Sequence, residues 1–356
     1  MSTFGNNITP CEAIQRPLIE FFNTCPSTRR TQTPTLIFTN SPENKSGIST
    51  LIQDVSGKKK TARLTYTQPR PITDVTDVAS CDMVCDATTE VGDSYADYTI
   101  DCTDGKQIEA KVRLTDWNES CKGNNLIIME TLQNMLDALI PAVAEKQAQE
   151  MNPLVGNWSS DVNPAWINVD EFLEVATLTA NDTFTPLAFE RIELAKQQTG
   201  FCAPTLITGG TDLYSYWRTM RVGCCTQDGI DALALLQAYG EAVVYDRWIA
   251  AEFGNDVSIM IQNQSIQLLT ATWNPPMLDL GGMVDLDMTY RNGFQTVIMD
   301  PISGIPVDLN IKQDCGVVHI VMTATTKTVG LPNDMYPTGH PNEFVNFVTG
   351  IQVVNP

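Results

Sequence analysis

Between Asn124 and Asn152 the chain reads NNLIIMETLQNMLDALIPAVAEKQAQEMN, and its apolar residues recur at helical spacing. Ile128, Leu132, Met135, Leu136, Leu139 and Val143 fall on one face of a helix. Asn124 or Asn125 can cap the start, and Asn152-Pro153 can stop the end. Pro141 removes one backbone donor, so a bend is expected near the middle. At 1.5 Å per residue the rod is roughly 40 Å long. Its stripe needs apolar cover, which we expect from a β-layer before it (72–116) and from strands near the C-terminus.

The chain changes character on either side of this rod. In residues 1–40, Pro10, Pro17, Pro26 and Pro34 leave no room for a long helix beyond Pro17–Phe22, which predicts an extended arm or a disordered terminus. Residues 48–68 read ISTLIQDV, SGKKK, TARLTYTQ, which predicts a two-stranded hairpin turning at Ser56-Gly57 with a basic tip. An isolated ribbon is marginal in water, so it must dock on something. Asp97–Asp101 and Gln107–Asp116 read as strands joined at Thr103-Asp104-Gly105.

After the rod, residues 153–182 are loop-rich around Trp158 and Trp166, and Thr185–Gln198 reads as a short helix. Pro204–Thr208 predicts a buried strand, turned by Gly209-Gly210 into a helix capped by Thr211. The runs GIDALALLQAYG, EAVVYDRWIAAEFG and DVSIMIQNQSIQLLTATW predict strands and short helices around one core. The C-terminal part is β-rich, with turns at Asp300-Pro301 and Ser303-Gly304 and a closing strand in FVTGIQVV.

Charge is unevenly spread over the 356 residues. The net charge is −20, yet residues 1–70 hold nine Lys/Arg against four Asp/Glu. A basic arm on an acidic body suggests that one copy's arm lies on another copy's body; a solvated polar segment is the simpler alternative. The acidic body argues against a dedicated nucleic-acid binder, although a nucleic-acid-gripping hairpin competes for the 48–68 ribbon, which lacks the stacking aromatics such ribbons usually carry. No apolar run is long enough to span a bilayer, and Met1 leads into STFGNNITP without a signal-segment pattern. We expect folding in a reducing cytoplasm.

Motifs for chemistry are scarce. Nucleophile-elbow, phosphate-loop, dinucleotide and zinc-protease signatures are lacking, and His319 and His340 are the two histidines. Cys315 and His319 share a strand face, but i and i+4 on a strand lie roughly 13 Å apart, too far for a nucleophile and base. Cys81, Cys85, Cys102 and Cys121 have loose spacing for zinc, and Cys224-Cys225 precedes a glycine turn. Buried thiols are the simpler reading. Asp82, Asp86 and Glu90 follow no calcium-loop pattern. We expect no catalytic site, no cofactor and no metal.

The order arm, ribbon, β-layer, rod and α/β body resembles the major capsid proteins of tailed bacteriophages, the Hong Kong 97-type fold shared with encapsulins. Local wording is similar too: APTLITGGTDLYSYWR, Gly229-Ile230, YGEAVVYDRWIAAEFGND, IQNQSIQLLTATW and DPISGIPVDLNIKQDCGVVHIVM look like segments from phages of Bacteroidetes-type hosts. The resemblance covers most of 120–356. It implies an α+β chain with an N-terminal arm (1–40), an extended β-hairpin loop (41–70), a peripheral domain (71–199) with its spine helix at about 124–152, an axial α/β domain (200–310) and return strands (311–356). It implies a major capsid protein that assembles into hexamers and pentamers of an icosahedral head around double-stranded DNA, located in the virion and assembled in the host cytoplasm. The loop tip (Lys58, Lys59, Lys60, Arg63) and the arm (Arg16, Arg29, Arg30) would touch neighbouring subunits, and the stripe residues above would form the spine core. Portal, scaffolding and auxiliary head proteins would be further partners, DNA a weak and non-specific one, and a membrane none. A minor virion component, as head decoration or tail part, is the alternative; a cytosolic enzyme with an unrecognised site is the remaining one.

Overall fold

The computed structural model describes residues 33–41, 52–53, 58–67, 93–113, 124–155, 173–176, 192, 205–222, 242–262, 265–274, 294–314, 317–330 and 348–354. The chain divides into two compact units. The described residues of the first come from Ile100–Ala144 and Thr270–Lys327; those of the second come from Thr33–Thr99, Glu145–Leu269 and Thr328–Pro356.

In chain order the elements are α1 (Pro34–Asn40), β1 (Ile52–Gln53), β2 (Lys59–Thr67), β3 (Asp93–Asp101), β4 (Gly105–Arg113), α2 (Asn124–Met151), β5 (Leu173–Ala176), β6 (Thr205–Gly209), α3 (Thr211–Val222), β7 (Ala242–Tyr245), α4 (Arg247–Phe253), β8 (Val257–Gln262), β9 (Ile266–Ala271), β10 (Phe294–Met299), β11 (Pro306–Asp314), β12 (Val317–Gly330) and β13 (Val348–Val354). The content is mixed, mostly sheet.

The long helical pattern is α2, 28 residues with Pro141 inside it. Ile128, Leu132, Met135, Leu136, Leu139 and Val143 are all buried. So are Gln133, Ile140, Ala144, Gln147, Ala148 and Met151, which the single stripe did not include. Only Asn134, Ala138, Glu145 and Gln149 among its described side chains are exposed, and these fall in one narrow strip. A 3-10 turn at Asn152–Leu154 ends the helix, as the Asn-Pro pair predicts.

In the first unit, β10, β11, β12 and β4 lie side by side, each antiparallel to the next. The inward face is apolar: Val307, Leu309 and Ile311 from β11, and Val318, Ile320, Met322 and Ala324 from β12. Period-two alternation on β12 produces this face directly. The expected strand after Thr103-Asp104-Gly105 is present as β4, but it pairs with β12 instead of folding back on β3. A 3-10 turn explains the separation. Asp101 N–H donates to Asp104 Oδ2 at 2.8 Å, and Asp101 Oδ1 accepts from Thr103 N–H at 3.3 Å. This capping box turns the chain without hairpin geometry. On β4, Gln107, Glu109, Lys111 and Arg113 point outward, a row of polar and charged side chains of the kind that guards an edge strand.

The predicted turn between β10 and β11 is built on Asp300. Its carboxylate accepts from Ser303 N–H at 2.8 Å and from Ser303 Oγ–H at 2.6 Å. Gly304 takes φ 66°, which suits glycine. Asp308, also buried, accepts from the N–H groups of Trp273 (2.9 Å) and Asn274 (3.0 Å).

In the second unit a mixed sheet runs β5-β13-β8-β6-β7. β13 is parallel to β5 and β7 is parallel to β6; the other pairs are antiparallel. Central β8 is buried from Val257 to Ile261, Ser258 included, the pattern of a strand covered on both faces. The closing strand in FVTGIQVV is β13, which lies between β8 and β5. Leu206, Ile249, Ile259, Ile261 and Ile266 form the core with Ala148 and Met151 from the last turns of α2. Asp246 caps α4 by accepting from Trp248 N–H at 2.9 Å, and Gly254 ends it at φ 105°. The Gly209-Gly210 pair is required by close approach: a Cβ on Gly210 would lie 2.0 Å from the Asn255 carbonyl oxygen. The same closeness lets Gly210 N–H reach Val257 O at 2.8 Å.

One expectation is corrected at the N-terminal side. The last residues of the predicted arm form helix α1, with Pro34 in its first turn and Leu36 fully buried. The expected helix at 185–198, the anchors Trp158 and Trp166, and the 229–240 run lie outside the described residues, apart from helical Ile192. No helix among the described residues is long and apolar enough to cross a membrane.

Candidate intersubunit surface

The predicted 48–68 hairpin is present in part. β1 pairs antiparallel with β2, Ile52 opposite Thr61 and Gln53 opposite Lys60, so Lys58 and Lys59 sit at the turn end. The residues at the expected turn, Ser56-Gly57, lie outside the described residues. β3 adds a third strand on the far side of β2. Thr61 faces Thr99 and Arg63 faces Asp97, positions that step in opposite directions and so mark antiparallel neighbours.

The ribbon has an inner and an outer face because side chains alternate along each strand. On the inner face Ala62, Leu64 and Ile100 are buried. Ala62 packs with Leu269 and Val329, and Tyr98 lies against the same cluster. Tyr98 Oη–H donates to the Gly330 carbonyl at 2.7 Å, which locks the ribbon to the end of β12 within the second unit. The dock that an isolated ribbon requires is thus supplied by its own chain.

The outer face carries Arg63, Asp97, Thr99 and Tyr95, all exposed, with Tyr95 at 61%. Arg63 Nε and Nη2 donate to the two Asp97 carboxylate oxygens at 2.7 and 2.9 Å, a bidentate fork. The guanidinium also lies over the Tyr95 ring, 4.2 Å from its centroid. The hydrogen bond from Arg63, helped by its charge, holds the Asp97 carboxyl below the usual range, and the reciprocal hydrogen bond and charge raise Arg63. The result is a pre-arranged Tyr-Arg-Asp group on an open sheet face. Tyr and Arg are the residue types that dominate protein contacts once water is excluded.

Of the predicted contact residues, Lys58 and Lys59 are exposed, Lys60 is half-buried, and Arg63 is tied to Asp97 of its own chain. Arg16, Arg29 and Arg30 lie outside the described residues. Tyr95 and Asp97 were missed by the sequence reading; the signal available was the alternation in DSYADYTID, which places Tyr95, Asp97 and Thr99 on one face. His319 is half-buried on β12, opposite Lys312 on one side and Lys111 on the other. Cys315, its former companion, lies outside the described residues, and so do Cys81, Cys85, Cys121, Cys224 and Cys225, whereas Cys102 is exposed in the 3-10 turn. No group of three or more His, Cys, Asp or Glu is placed to hold a metal ion among the described residues.

No family model matches the chain, and no curated protein matches it. Solved phage structures do. The chain is similar to one in the capsid asymmetric unit of cyanophage A-1(L), at 10% identity and TM-score 0.49, over 91% of this chain and 93% of that one. It is similar to one in the capsid of Ralstonia phage GP4, at 11% identity and TM-score 0.44, over 92% of each. A chain of Mycobacterium phage Adephagia matches at 12% identity and TM-score 0.42, over 86% of this chain and 92% of that one.

Proposed function

We infer that this chain is the shell subunit of a tailed-phage head, assembling with itself into hexamers and pentamers that close an icosahedral container around double-stranded DNA. The observation that carries the reading is the ribbon. It is fixed to its own body by one face and presents Arg63, Tyr95 and Asp97 on the other, with Lys58 and Lys59 exposed at its turn end. It belongs to the basic N-terminal part of a chain whose net charge is −20. A second copy offers the acidic surface that such a face complements. Each exposed ion pair is weak, so strength comes from repetition around a shell and from the aromatic contact.

In this reading the Arg16, Arg29 and Arg30 arm extends along neighbours, and α2 is the rigid spine. The subunit performs no catalytic step. Portal, scaffolding and auxiliary head proteins join the assembly, and DNA is contacted weakly and without sequence preference because the body is acidic. Assembly takes place in the host cytoplasm and the product is the virion.

The test is assembly itself. Purified chain, alone and co-expressed with its scaffolding protein, is followed by light scattering and negative-stain imaging across salt and concentration. Closed shells or rings are expected, with Tyr95→Ala assembling poorly while melting as the parent does. A chain that stays monomeric under every condition overturns the reading. A dominant copy number in purified virions separates shell protein from minor component.

A further inference from the structure

The sequence offers no reason for Thr35 and Asp246 to meet, since 211 positions separate them. Yet Asp246 is buried, and its two carboxylate oxygens serve two different helices. Oδ1 accepts from Trp248 N–H at 2.9 Å, capping α4. Oδ2 accepts from Thr35 N–H at 3.2 Å, in the first turn of α1. Around it runs a chain of buried polar contacts. The Thr35 hydroxyl pairs with that of Thr208 on β6 at 2.8 Å. Thr39 Oγ–H donates to Thr35 O at 2.9 Å, and Gln147 of α2 donates in turn to Thr39 Oγ.

Helix α1 is thus tied to three separate elements of the second unit, the α4 corner, β6 and the end of α2, by hydroxyl, carboxylate and amide groups. Its apolar contribution rests on two side chains. Leu36 is fully buried, Phe38 is partly buried against the core cluster, and Ile37 is 41% exposed. Seven residues cannot hold a helix in water by themselves. Docking and helix formation must therefore be one event, and beside Leu36 and Phe38 it depends on polar contacts that water can replace.

We propose that Asp246 is the pivot of a polar latch: α1 undocks and melts as one segment while the sheet beneath it, and the α4 cap on the other carboxylate oxygen, stay intact. Asp246 keeps one of its two partners in the open state, so opening does not strand the carboxylate. The Thr208 hydroxyl and Oδ2 are the groups that water must reach.

Asp246→Asn is the selective probe. Asparagine caps helices as well as aspartate does, so its amide oxygen can keep the bond from Trp248 N–H. Its amide nitrogen then faces Thr35 N–H, donor against donor. Hydrogen exchange followed by mass spectrometry on the full chain is expected to show the amides of 36–40 exchanging at least about tenfold faster, with 250–253 and 257–261 unchanged. Thr35→Val removes the bond to Thr208 and is expected to give a smaller acceleration confined to the same amides. In the parent, the 36–40 amides are expected to exchange faster than those of β8. Equal protection of α1 and β8 in the parent overturns the proposal, because α1 would then open only with the whole unit. Acceleration spread evenly over α1, α4 and the sheet in either variant overturns it as well.

Discussion

Helix α2 and the β2–β3 ribbon both lie in the first half of the chain, and they solve burial in opposite ways. The helix buries a broad arc of its circumference and fully exposes only the strip of Asn134, Ala138, Glu145 and Gln149 among its described side chains. The ribbon hides one face, Ala62, Leu64 and Ile100, and opens the other. An element that buries a broad apolar arc mainly serves its own fold. An element with one dry and one open face has a side to give to something else, and on the ribbon that side is already organised as Tyr95, Arg63 and Asp97.

The largest effect is expected in the helix. Leu136 is fully buried, so Leu136→Ala is expected to lower stability by about 2–5 kcal/mol, read as a large drop in the unfolding midpoint. That is a large share of the roughly 5–15 kcal/mol that holds a typical domain. A midpoint within a degree or two of the parent would mean that the helix tolerates a void and is not a core element. The helix was the most legible part of the chain, since its periodicity is local and strong. What local periodicity missed was the second flank. Gln133 and Gln147 are buried there, and Ala144 and Ala148 are small enough to read as neutral positions.

On the ribbon the inner face is the sensitive one. Ala62→Leu adds bulk where Ala62 meets Leu269 and Val329, and is expected to cost about 1–3 kcal/mol and to loosen the Tyr98–Gly330 hydrogen bond. Chemical denaturation gives the first number, and faster exchange of the ribbon amides reports the second. No change in either would show that the ribbon is not docked there. The β1–β2 pairing of this ribbon was legible from alternation on either side of a turn, but the more distant partners were not. β3 joins β2 while β4 joins β12, more than 200 residues away, and β13 joins β8 and β5. Pairing is decided by which apolar faces meet in the folded chain, and a single strand's alternation names its faces without naming its neighbour. The latch residues Thr35, Thr208 and Asp246 were invisible for the same reason, since each is an ordinary polar residue until the fold brings the three together. Pro34 was a usable hint for α1, because proline favours the first turn of a helix.

The smallest effect is expected on the outer face, and it sharpens the contrast. Arg63 and Asp97 are both exposed, so Arg63→Ala should leave the unfolding midpoint almost unmoved at neutral pH and moderate salt. The pair still has a pH signature. The hydrogen bond and charge of Arg63 lower the Asp97 carboxyl in the folded chain, whereas an unfolded aspartate titrates at about 3.9. A lowered folded value means that the contribution is present above the unfolded value and is lost as pH falls through the folded one. Arg63 is raised above an already high value, so its own titration stays out of reach. The unfolding midpoints of the parent and Asp97→Asn should therefore differ slightly at pH 6 and converge below the carboxylate range, all other carboxylates being common to both. A difference that grows on acidification would reverse the sign and remove the Arg63–Asp97 pair as its cause. Constant stability at neutral pH, combined with lost assembly when Arg63 or Tyr95 is truncated, is the pattern expected of a face that serves another molecule.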